Sequence, residues 1–387
     1  MKESKNLKDL KERVNYQKKY IDNYEEFAKK ILNKTVLPIQ LEIQPGREKG
    51  REICWMKCPY CYGGKAKNAG QRLSLAKYLK ILNETAKGPH GNILKIIFAG
   101  YATDPLNYEH IAKLVNTSIN NNQIVGIHTK LLKISSELME VLSSDKIVDK
   151  SYVTVSLDSG FSKSYNLTHG IKTTKDVLTR VYTNIEKLSK IKPSNLNIGS
   201  TYLVTKVNFS KDEIIESIKK VNDLGIDTHR FSFPQVPRNY NLEGEQDIII
   251  RNKKNMITEI NDIIGSFSSG YKTIVSMVDP DADYKIDTER YLPCFARFVH
   301  PCIGFDGHLY HCSESSSPDF HSLSLGNLSE KSFWESYYDY DLNDLKDSFK
   351  KMKQTGCICD RKLFIVNKQF YETKAANLFK RYINEKL

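Results

Sequence analysis

Three cysteines stand close together in the segment Cys54-Trp55-Met56-Lys57-Cys58-Pro59-Tyr60-Cys61. Three thiolates at spacings of four and three on one loop can hold three irons of a cubane [4Fe-4S] cluster and leave the fourth iron open to a ligand. A structural zinc ion ordinarily takes four closed ligands, and no histidine stands near this loop in sequence to complete such a set. The blander reading is a zinc knuckle or a group of reactive thiols.

The other five cysteines, Cys294, Cys302, Cys312, Cys357 and Cys359, all fall in the C-terminal part of the chain. Phe305-Asp306-Gly307 is a turn signal, and it predicts a hairpin over 298–312 that brings Cys294 and Cys312 together. Cys357 and Cys359 can then close a four-thiolate site around a second cluster, leaving Cys302 spare; Cys302 can also replace one member of the Cys-x-Cys pair. Scattered buried thiols or a closed zinc site are the alternatives.

These loops need a scaffold, and the apolar pattern supplies one. Short β-branched runs over 37–43, 93–99, 124–129, 152–157, 196–204 and 229–234 alternate with helix-period stretches over 73–85, 108–120, 135–143, 174–189 and 211–224. Strand-helix alternation of this kind implies an α/β protein with a parallel sheet, flat or closed into a partial barrel. The first cysteine group follows the first strand, where parallel barrels carry their chemistry. A polar connection over 238–252 and a helix over 256–264 come next; beyond that helix the alternation is expected to fail, with 273–278 strand-like. The chain thus divides into a helical segment (1–36), a core (37–236), a connection with its helix (237–264) and a smaller α+β region with C-terminal helices (265–387).

The chain has 387 residues, 58 Lys and Arg against 46 Asp and Glu, and a formal net charge of +12. The basic residues are spread along the chain, mostly as lysine, without an Arg-rich stripe interleaved with aromatics; a nucleic-acid footprint is not expected. No run of about 18 apolar residues exists, so no membrane span is expected. The first 30 residues are charged and helix-patterned, which points to the cytoplasm. There, eight cysteines serve metal or redox chemistry rather than disulfides.

Cys54, Cys58 and Cys61, with the aromatic Tyr60 before the last cysteine, resemble the Cys-x3-Cys-x2-Cys signature of the radical S-adenosylmethionine (SAM) superfamily. The resemblance implies a partial (β/α)6 TIM-like barrel over about 37–236. It also implies that SAM chelates the open iron and that one electron, from a donor such as flavodoxin or ferredoxin, cleaves it to a 5'-deoxyadenosyl radical that abstracts hydrogen from substrate. Contacts to SAM are carried over to Tyr60, to the backbone of Gly100 and Tyr101 after the second strand, to Ser156 and Asp158 after the fourth, and to Thr201 on the fifth. The family's Gly-Gly-Glu-like stretch is reduced here to Gly100 with a displaced acid, Asp104.

Cys294, then twelve residues, Gly307, four residues and Cys312, followed later by Cys357 and Cys359, resembles the SPASM and twitch extensions of that superfamily. A full SPASM region takes about seven cysteines for two clusters, so five imply one auxiliary [4Fe-4S] cluster held by Cys294, Cys312, Cys357 and Cys359. Cys302, if it faces the barrel mouth, is a candidate hydrogen-atom donor to a substrate radical. The resemblance implies maturation of a ribosomal peptide. The alternatives are dehydrogenation or epimerisation of a small molecule (sugar, aminoglycoside or nucleotide) and, in another class, a non-catalytic iron-sulfur or zinc protein. The 36 residues before the first strand are too few for a leader-binding domain of roughly 80 residues, so a peptide substrate would be presented by a separate protein.

Overall fold

The computed structural model describes residues 21–46, 54–61, 72–101, 103–172, 176–234, 250, 253–267, 270–277, 294–316 and 318–341, with scattered positions beyond 345. Cys54, Cys58, Cys61, Cys294, Cys302 and Cys312 are among them; Cys357 and Cys359 lie outside the described residues.

Six strands lie side by side in chain order and parallel: β1 (Leu41–Ile43), β2 (Lys95–Phe98), β3 (Ile124–Thr129), β4 (Ser151–Ser156), β5 (Leu196–Leu203) and β6 (Thr228–Ser232). After α1 (Tyr24–Leu32), the crossovers carry α2 (Leu75–Ala86), α3 (Ile111–Asn120), α4 (Ser136–Leu142), α5 (Ser162–Thr168), α6 (Val177–Ile191) and α7 (Lys211–Asp223). Helix starts are written in the sequence: the side chains of Ser74, Ser135, Asp176 and Ser210 each accept a backbone N–H in the first turn of α2, α4, α6 and α7.

One expectation is corrected. The strand expected over 273–278 continues the alternation instead of lying outside it: α8 (Lys254–Ser266) leads into β7 (Ile274–Met277), which pairs parallel with β6 in the register Thr228↔Ile274. All four residues of β7 are half-buried.

At the other edge, β8 (Cys302–Ile303) pairs parallel with β1, Glu42 standing opposite Cys302. It turns back antiparallel into β9 (His308–Tyr310), which pairs with β10 (Gly326–Asn327). The tight turn needs Gly307, whose φ is +82°, and Asp306 accepts the His308 N–H. The first residues of the expected hairpin instead finish a helical turn, α9 (Ala296–Val299), which Pro301 prevents from continuing. The sheet order is β10-β9-β8-β1-β2-β3-β4-β5-β6-β7, open at both edges. Among the described residues no helix is long and apolar enough to cross a membrane.

Burial alternates along β4, β5 and β6. Val153, Val155, Ile198 and Phe231 are buried, while Tyr152, Thr154, Ser156, Asn197, Thr201, Thr228, Arg230 and Ser232 are half-buried. Among the described residues one face is therefore sealed by helices, and the other, polar face is only partly covered.

On the sealed side His229 is fully buried, its Nδ1 2.7 Å from the Ser200 hydroxyl and its Nε2 3.1 Å from that of Ser217. Burial pushes its pKa down from 6.5 to about 3. The unfolded chain takes up this proton first, so stability is fully present above about pH 6.5 and falls as pH drops toward 3, by an amount on the order of 4–5 kcal/mol. Denaturant unfolding of His229→Gln is expected to show lower stability at neutral pH and a shallower decline across that window.

Candidate active site

The cysteine loop follows β1, at the C-terminal end of the parallel strands. Its backbone is pinned: the Lys57 N–H donates to the His169 carbonyl at 3.0 Å, and the Cys61 N–H to the Cys58 carbonyl at 2.9 Å. The residue after His169 is Gly170, with φ of +59°, and a Cβ there would sit 2.1 Å from the Lys57 carbonyl oxygen. Gly170→Ala is therefore expected to force the loop away and add about 1–2 kcal/mol of backbone strain, lowering both the melting temperature and iron uptake. Gly265→Ala, in the open space of α8, should leave iron uptake unchanged.

Cys54, Cys58 and Cys61 are half-buried. Burial pushes the Cys54 thiol up and the Cys58 thiol up to about 12, and the neighbouring cysteines add to this by mutual repulsion. Ionising Cys54 or Cys58 therefore asks for a compensating cation. Among the described residues no three ligand side chains converge on a point that would hold a single metal ion. A cubane asks for no such convergence, since each thiolate binds a different iron. The three residues fit a [4Fe-4S] cluster in number, spacing and burial.

Asp158 stands at the end of β4 and exposes none of its surface. Its Oδ1 accepts the Leu203 N–H at 2.8 Å; its Oδ2 accepts the Tyr60 hydroxyl at 3.3 Å and the Lys130 ammonium at 3.2 Å and lies 3.3 Å from His169 Nε2. The sequence expectation gave this carboxylate to SAM; the fold turns it inward to gather Tyr60, Lys130 and His169 beneath the cysteine loop. Burial opposes charge on Lys130, but Asp158, Cys58 and Cys54 outweigh it and hold the ammonium above its usual range. His169 presents Nδ1 to Cys58 Sγ at 3.2 Å, although 111 residues separate the two in sequence.

The loop after β4 is fixed from α7. Glu213, buried in the first turn of that helix, accepts the Gly160 N–H at 2.8 Å and the Ser159 hydroxyl at 3.0 Å, and bonds the Ser164 hydroxyl. Asn208 donates to the Asp158 carbonyl at 2.7 Å.

Ser156 and Thr201 are register partners on the open face, at the C-terminal end of β4 and in β5. Gly100 and Tyr101 follow β2, and a Cβ on Gly100 would sit 1.5 Å from the Thr103 carbonyl oxygen, so that turn admits only glycine. Asp104 is occupied structurally, bonding the Thr129 hydroxyl and the Leu106 and Lys130 N–H groups. Tyr60, Gly100, Tyr101, Ser156 and Thr201 thus share the end of the sheet that carries the cysteine loop. Lys130 and His169 were missed by sequence reasoning. The position of Lys130 directly after β3, at a strand end, was the one available signal.

In the C-terminal region Cys294 and Cys312 are buried, and burial together with the neighbouring Cys294 raises the Cys312 thiol. The Cys294 N–H donates to the Ser348 hydroxyl at 3.0 Å, the neighbouring Phe295 N–H donates to Asn367 Oδ1 at 2.9 Å, and Asn367 Nδ2 lies 3.9 Å from Cys294 Sγ. Arg297 is buried between the Phe298 and Tyr340 rings, donates to the Tyr337 carbonyl at 2.7 Å, and pairs with no carboxylate among the described residues. Cys302 is enclosed, its Sγ 4.0 Å from Glu42 Oε1; burial and that carboxylate push its thiol well up. A hydrogen donor must meet the substrate radical, whereas this sulfur meets Glu42.

No protein-family model matches the sequence, and no curated protein matches it by sequence. Solved structures match by fold. Streptococcus suis SuiB bound to S-adenosylmethionine superposes with a TM-score of 0.60 at 17% identity, over 88% of this chain and 75% of that one. SuiB bound to its precursor peptide SuiA gives 0.57 at 17% identity, over 81% and 68%. Native anSMEcpe with bound AdoMet gives 0.54 at 15% identity, over 90% and 100%.

Proposed function

We propose that this chain, which has the fold of the radical SAM enzymes, works as one of them, with SAM as cofactor and a peptide as substrate. The observation that carries the reading is the Cys54, Cys58 and Cys61 loop, half-buried at the C-terminal strand ends and pinned to His169. Those three residues would hold a [4Fe-4S] cluster. When bound, cluster and SAM together supply a single electron and a 5'-deoxyadenosyl radical that takes hydrogen from substrate.

The chain's own residues bind, orient and shield. Ser156 and Thr201 offer paired hydroxyls to SAM from the open face, and the Gly100–Tyr101 turn offers backbone groups. Lys130 supplies a half-buried positive charge beside the thiolates, and Tyr60 and Asp158 tie the loop to β4. The polar open face of β4 to β6 offers hydrogen-bonding groups along an extended substrate. A peptide is favoured because SuiB, which shares the fold, is bound in one structure to a precursor peptide; the class of reaction is natural-product maturation in the cytoplasm, with a flavodoxin- or ferredoxin-type electron donor.

An auxiliary [4Fe-4S] cluster in the C-terminal region belongs to the same reading, with Cys294, Cys312, Cys357 and Cys359 as its ligands. Its support is threefold. Cys294 and Cys312 are buried together; Ser348 and Asn367, which bracket Cys357 and Cys359 in sequence, both pack on the Cys294–Phe295 backbone; and Arg297 is a buried cation that forms no ion pair with a carboxylate among the described residues, suited to an anionic centre.

The test is electron paramagnetic resonance of the anaerobically reconstituted, reduced protein. Adding SAM is expected to change the cluster spectrum, and an unchanged spectrum would mean that no open iron accepts SAM.

A further inference from the structure

His169 touches the cysteine loop twice, once through its backbone and once through its ring. The carbonyl accepts the Lys57 N–H at 3.0 Å, which sets the height of the loop, and Nδ1 faces Cys58 Sγ at 3.2 Å. The ring is itself held: Tyr165 stands edge-on with ring centroids 4.3 Å apart, and Nε2 makes no hydrogen bond among the described residues, which leaves the ring's proton to Nδ1. Asp158 Oδ2, 3.3 Å from Nε2, has its charge met by the Lys130 ammonium. A ring so constrained on the surface would be unremarkable; here it is fully buried and aimed at a sulfur that the proposed function gives to iron.

We propose that His169 is a positioning residue of the first cluster, its Nδ1–H donating a hydrogen bond to the Cys58 sulfur, and that this bond raises the reduction potential of that cluster. A cluster-bound Cys58 carries no proton, so the bond has a single direction, from nitrogen to sulfur. Hydrogen bonds to ligand sulfur draw off electron density and stabilise the reduced, more negative cluster, and groups just outside the ligand set commonly tune a metal centre this way. The Lys130 ammonium, held by the same Asp158 oxygen, acts in the same sense. The fold thereby makes the first cluster easier to reduce by a one-electron donor than its thiolates alone would.

The inference rests on the radical SAM reading, and the experiment separates the two. Wild type, His169→Phe and His169→Gln are reconstituted anaerobically as full-length chains, and the SAM-responsive signal is followed through a redox titration. Expected is a lower midpoint potential in His169→Phe at unchanged iron content, with partial recovery in His169→Gln, whose amide can still donate. In wild type labelled with 15N-histidine, pulsed electron paramagnetic resonance of the reduced cluster should show a weakly coupled histidine nitrogen. An unchanged potential in an iron-replete His169→Phe protein overturns the proposal, and so does the absence of histidine coupling in wild type, which needs no variant to fold. Absence of any SAM-responsive signal in wild type would instead overturn the radical SAM reading.

Discussion

Cys58→Ala is expected to remove about four irons per chain and to abolish 5'-deoxyadenosine formation, because a cubane that is left with two protein thiolates is not retained. Anaerobic iron analysis and product chromatography check both halves of the statement. The protein itself should survive the change. Cys58 is only half-buried, and its thiol is costly to ionise without a metal, so a small neutral side chain is tolerated there. The substitution also leaves the Lys57 bond to the His169 carbonyl in place, since that bond is backbone to backbone. Retention of full iron and activity in Cys58→Ala would mean that the loop does something other than hold a cluster.

Cys312→Ala separates the two proposed centres. Iron is expected to fall from about eight to about four per chain, while SAM cleavage continues at the first cluster and conversion of substrate is lost. Cys312 is 4% exposed, so some of the effect will be on packing. Cys302→Ala is the matched control. Cys302 is also buried, at 0%, in the same region, and lies against Glu42 rather than in the proposed ligand set. Equal loss of iron in the two variants would bring Cys302 into the ligand set in place of Cys357 or Cys359.

Spacing made the first site legible, because a cluster loop is local and its three ligands lie within eight residues of chain. The strands were legible for a similar reason: β2 to β6 are short runs with apolar residues on at least one face, set between helices, and each was expected within a few residues of where it lies. What sequence could not show is which buried polar groups meet. Lys130 and His169 are a lysine and a histidine in a chain with 58 Lys and Arg and 9 His, and neither carries a spacing signature. They become neighbours only because β3 and β4 are adjacent and α5 ends against the cysteine loop.

Asp158 illustrates the same limit from the other side. Its place at a strand end marks it as functional, but burial decides which way a carboxylate faces, and here four groups converge on it from within the protein. The strand at 273–278 was legible, but its place as a seventh parallel strand, β7, was not, because a long polar connection precedes its helix. The pairing of β8 with β1 was also invisible: two residues, Cys302 and Ile303, join strands some 260 positions apart, and no periodicity spans that distance.

The most direct test is anaerobic incubation of the reconstituted, reduced protein with SAM, followed by quantitation of 5'-deoxyadenosine. 5'-Deoxyadenosine and methionine are expected from wild type and none from the Cys54→Ala/Cys58→Ala/Cys61→Ala variant. A reduced, iron-replete wild-type protein that binds SAM and leaves it intact would contradict the radical SAM reading.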